Sequence, residues 1–74
     1  MSNTRGRLGF MSTAVAAELS VTAEHVARYR ERVAALVQPL VGGNHDDAIA
    51  AMFEAERALR TAQRLLDRAS GLLA

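Results

Sequence analysis

The sequence predicts an all-α fold, an antiparallel two-helix hairpin expected to pair into a four-helix bundle. Three observations carry this. Apolar residues between positions 15 and 40 are spaced alternately by four and three, alanine returns every seventh residue at Ala48, Ala55, Ala62 and Ala69, and "GGNHDD" stands between the two stretches. Alternating spacings of four and three mark one face of a helix, and a short turn between two such helices sets them side by side and antiparallel.

Length and composition bound the rest. At 74 residues the chain holds one domain, and a core of that size supplies only about 3–5 kcal/mol by itself. It has no cysteine, which excludes disulfides and thiolate zinc sites and leaves self-association or a partner as the expected source of extra stability. Alanine is the commonest apolar residue, and the only aromatics are Phe10, Tyr29 and Phe53. A thin core of many small contacts is expected. Arginine or glutamate interrupts every apolar stretch before it reaches the ~18 residues of a membrane span. "MSNTRGRLGF" lacks the apolar segment of a secretory signal, so a cytoplasmic location is expected.

The first helix is read from the stripe Val15, Leu19, Thr22, Val26, Tyr29, Val33, Leu36 and Leu40, broken only by Thr22. Its phase does not slip across "LSVTAE", which favours one helix over about residues 12–41. Ser12 and Ser20 are both suitable N-caps, and residues 1–11 are read as a flexible arm. Pro39 lacks the amide hydrogen that would bond back to Ala35, so the helix kinks or ends near residues 38–41. Gly42 or Gly43 can take the left-handed conformation of a helix stop. Asn44 is a good N-cap for a second helix, and Asp46 and Asp47 suit the exposed amides of its first turn.

The second helix is expected over about residues 45–72, after a turn at 42–45. Met52, Leu59, Leu66 and Leu73 repeat every seven residues beside the alanine series, the pattern of an antiparallel coiled-coil seam. With a symmetric loop the numbers of facing residues total roughly 89, which sets Ala55 near Val33, Ala62 near Val26 and Ala69 near Leu19. The expected seam comprises Val26, Tyr29, Val33 and Leu36 of the first helix and Met52, Ala55, Leu59, Ala62, Leu66 and Ala69 of the second. Alanine there lets the axes approach toward the short end of the usual ~8–10 Å range.

Both apolar faces are wider than one neighbouring helix covers. Ala51, Ala58, Leu65 and Leu72 widen that of the second helix to roughly 160°. Ala16, Ala23, Ala27, Ala34, Val37 and Val41 extend that of the first, with Arg30 intruding. Val37, Val41, Phe53, Leu65 and Leu72 are therefore assigned to a partner or dimer face, and a second hairpin is the expected cover.

Polar candidates are weaker. Arg57, Arg60, Arg64 and Arg68 fall within roughly 80° of one another and form a possible anion or partner contact. Glu54, Glu56 and Asp67 neighbour them, as on a solvated face. The "RGR" of Arg5–Arg7 resembles the core of an AT-hook, but Leu8 stands where that motif has proline. His25 and His45 sit in no metal-ligand spacing, and no nucleophilic triad or phosphate loop is present. No cofactor, metal or catalytic residue is expected.

The resulting expectation is a small non-catalytic helical interaction module, a homodimer or an accessory subunit docking on a larger protein. The alternative is a nucleic-acid-associated dimer using its arginines. A minor alternative is a secreted hairpin that resembles the WxG-type substrates of type VII systems in architecture. "GGNHDD" has no Trp-x-Gly, and no Tyr-x-x-x-Asp/Glu succeeds the second helix.

Overall fold

The computed structural model describes the backbone from Ser2 to Ala74 and the side chains from Gly9 onward. Helix α1 spans Ser2–Val37, a 3-10 turn covers Gln38–Leu40, and α2 spans Asp46–Leu73. The helices pack along each other as a hairpin with extents of 65 × 14 × 12 Å.

Helix α1 begins well before the expected start near Ser12 and runs through the segment read as an arm. The reason is local. The hydroxyls of Ser12 and Thr13 do not cap a helix start; they donate back to the Gly9 carbonyl at 3.0 and 2.9 Å. Thr22 does the same to Glu18 at 2.8 Å. Such back-bonding is how hydroxyl side chains are accommodated inside a helix. The side chains of Arg5 and Arg7 lie outside the described residues.

Pro39 ends α1 as its missing donor requires, sitting in the first turn of the 3-10 segment. Val41 N–H then donates to Gln38 O at 3.2 Å and Gly43 N–H to Leu40 O at 3.3 Å. Gly42 takes φ 91°, the left-handed region that only glycine enters freely. His45, not Asn44, occupies the cap position of α2, and its side chain makes no cap bond. Asp46 and Asp47 fill the first turn, where negative charge meets the exposed amides.

The seam differs from the expected one by a rotation of each helix. Along α1 and the 3-10 turn, the buried or half-buried residues among those described are Ser12, Ala16, Leu19, Ala23, Val26, Ala27, Arg30, Val33, Val37 and Leu40. The track of Leu19, Val26, Val33 and Leu40 is the expected one. Its companion is Ala16, Ala23, Arg30 and Val37, in place of Val15, Thr22, Tyr29 and Leu36. Tyr29 and Leu36 are 58% and 55% exposed, whereas Ala23 is 1% exposed and Val37, assigned from sequence to the partner face, is 8%. The exchange turns α1 by roughly 50° about its axis. Ala16 and Ala23 explain it physically, because a methyl group at the line of closest approach lets the backbones come together where Tyr29 would hold them apart.

In α2 the expected track of Met52, Leu59 and Leu66 is half-buried, with Leu73 at its edge. Its companion is Ile49, Glu56, Gln63 and Ser70, all half-buried. Ala62 and Ala69 are also half-buried, but Ala48 and Ala55 are exposed. Ala55 is therefore not a seam residue.

The register is marked by the Ser70 hydroxyl, which donates to the Ala16 carbonyl at 2.7 Å. Facing residues thus total 86 rather than about 89. Seven-residue steps from this pair set Ala23 against Gln63, Arg30 against Glu56 and Val37 against Ile49. On the neighbouring pair of tracks Leu19 lies level with Leu66, Val26 with Leu59 and Val33 with Met52.

Candidate functional site

The rotation leaves a broad face of the hairpin apolar and open. On helical geometry, the track of Val15, Thr22, Tyr29 and Leu36 lies on the same side of the hairpin as Ala48, Ala55, Ala62 and Ala69. Beside the alanines, at the outer rim of α2, run Ala51, Ala58, Leu65 and Leu72. Val15, Tyr29, Leu36, Leu65 and Leu72 all count among the exposed large apolar residues. Leu19, Val26, Val33, Met52, Leu59 and Leu66 form the floor between the two ridges, each only half-buried.

The outer rim of α1 on this side carries Met11, Glu18, His25 and Arg32, all exposed. A shallow notch lined by His25, Arg28, Tyr29 and Arg32 opens along that edge. A second, at the start of α2, is lined by Asn44–Ala48 and includes Asp46 and Asp47. Among the described residues no group of three or more His, Cys, Asp or Glu side chains is placed to hold a metal ion.

The opposite face is mixed, with Ser20, Ala27 and Ala34 on its α1 side. Arg57, Arg60 and Arg64 point there and are exposed, as is Phe53 beside Arg60, while Arg68 lies at the edge between the faces. The sequence-assigned contacts thus divide. Leu65 and Leu72 lie on the apolar side, Phe53 and three arginines on the other, Val41 is exposed at the turn, and Val37 is in the seam.

On that side of the seam α2 contributes mostly polar residues against the buried Ala16, Ala23 and Val37 of α1, which apolar periodicity alone does not reveal. Arg30 faces Glu56, with Gln63 and Ser70 on the next levels, and Glu56 Oε1 is buried without a hydrogen-bond partner. The seven-residue spacing of Glu56, Gln63 and Ser70 beside the leucine track is the signal that marks it.

The chain matches no protein-family model, no curated protein and no solved structure. Function therefore rests on the geometry of the faces. Among the described residues no helix is long and apolar enough to cross a membrane.

Proposed function

We propose that this protein is a small non-catalytic interaction module that works by packing the apolar face of its hairpin against other helices. One observation carries the reading. Tyr29, Leu36, Val15, Leu65 and Leu72 are aligned on the same side of a hairpin whose buried apolar residues are only Ala16, Ala23 and Val37 among those described. A helical face of that kind is a ready surface for helix-in-groove packing, and monomers seldom leave one exposed.

The test is light scattering with helical circular dichroism across a concentration series of the purified chain. The expected result is that helicity depends on association, either rising with concentration or staying low until a partner is supplied. A fully helical monomer at micromolar concentration that melts cooperatively at high temperature would overturn the reading. Binding of DNA or RNA that falls steeply with salt would favour the arginine face instead.

A further inference from the structure

We infer that the occupant of the apolar face is a second copy of this chain, related by a twofold axis parallel to the helices. The large residues of α1 in one copy then sit on the alanine ridge of α2 in the other. This rests on the reading of the face as a helix-packing surface, and it names the partner.

Exposed area favours a second copy. The chain exposes 5908 Å², whereas a folded monomer of 8.0 kDa is expected to expose roughly 4,450 Å². Part of the excess lies on Phe10 and Met11, both exposed, which the register places past the end of α2. Removing the excess from two copies would bury at most roughly 2,900 Å², a ceiling that lies within the range of obligate homodimers.

Shape selects the arrangement. With level residues totalling 86, Val15 lies within about 3 Å of the height of Ala69, and Thr22, Tyr29 and Leu36 stand in the same relation to Ala62, Ala55 and Ala48. A twofold axis parallel to the helices preserves height along the bundle and lays α1 of one copy over α2 of the other. Every level then sets a larger side chain against a methyl group, and all neighbouring helices are antiparallel, as in an up-down four-helix bundle. An axis perpendicular to the helices would instead lay α1 on α1 and α2 on α2. Val15 would then crowd Leu36, and Ala55 would face Ala62 across a gap. Alternating large and small side chains therefore selects the parallel axis.

Charge agrees with the same arrangement. Glu18 of one copy lies at the level of Arg68 of the other, and Arg32 at the level of Glu54. Opposite signs meet along both rims. The heptad of alanines thus has a physical role beyond the hairpin: it receives the second copy.

The experiment uses the absence of native cysteine. Chains carrying Tyr29→Cys alone are mixed with chains carrying Ala55→Cys alone, refolded together and oxidised, with light scattering on the unsubstituted chain in parallel. The expected result is a dimer and a mixed disulfide between the two variants in preference to either homodisulfide. Ala55→Leu, at a position exposed within its own hairpin, should weaken dimerisation about tenfold or more because its added volume meets Tyr29 of the other copy. A dimer that does not form the mixed disulfide would overturn this inference while leaving the helix-packing function intact. An unfolded monomer that gains helix only on a foreign partner would do the same. A stable helical monomer would overturn both.

Discussion

The Ser70 hydroxyl donates a 2.7 Å hydrogen bond to the carbonyl oxygen of Ala16, 54 residues away in sequence. Among the described residues it is the one hydrogen bond that joins the two helices. It lies near the open end of the hairpin, opposite the turn, so turn and bond together hold both ends of the seam in one register. An apolar seam built on alanine and leucine slides by a heptad at modest cost, and a directional bond resists that slip.

Ser70→Ala is therefore expected to destabilise the hairpin by about 1 kcal/mol relative to Ser20→Ala, an exposed control that carries the same gain in helix propensity. Thermal melts monitored by circular dichroism read the difference as a shift of roughly 4–8 °C. Equal melting temperatures for the two variants would show that the bond contributes nothing.

Ala23 is the most buried residue of the seam, at 1% exposure. Ala23→Leu should cost about 1–3 kcal/mol by forcing the helices apart. The same change at exposed Ala58 should leave the hairpin's own stability within about 0.5 kcal/mol. Ala62→Leu should fall between them, because Ala62 is half-buried. Urea titrations of the three variants rank the positions, and a different order would move the line of closest approach.

Glu56 keeps one carboxylate oxygen buried without a partner. Glu56→Met retains side-chain length and removes that desolvated group, so it is expected to stabilise the hairpin by about 1 kcal/mol. A melting temperature that falls instead would mean that Arg30, on the facing level, neutralises the carboxylate in solution. A double-mutant cycle with Arg30→Met would then measure the coupling.

Gly42 holds φ at 91° in the turn. A Cβ there meets no neighbour, so Gly42→Ala tests backbone strain alone. About 1 kcal/mol of lost stability is expected, visible as a lowered urea midpoint with an unchanged slope. An unchanged midpoint would mean that the turn relaxes to another conformation.

Much of the architecture was legible in the residues. Two seven-residue repeats imply two long helices, Pro39 ends the first, and Gly42 makes the reversal that sets them antiparallel. The tracks of Leu19, Val26 and Val33 and of Met52, Leu59 and Leu66 enter the seam as their spacing implies. The start of α1 was less legible, because Ser12 and Thr13 read as caps in sequence while their hydroxyls bond backward to Gly9.

What the amino-acid order determined by itself, then, is the pair of helices, the turn and one apolar track in each. Only the tertiary structure decided which flanking track joins it. On α1 the track through Tyr29 and Leu36 and the track through Ala23 and Val37 flank Leu19, Val26 and Val33 on opposite sides, and periodicity does not distinguish them. Packing does: two helices approach most closely where side chains are smallest, so Ala16 and Ala23 turn inward. Tyr29, Leu36 and Ala55 are thereby left on the outside, facing the position where another helix fits.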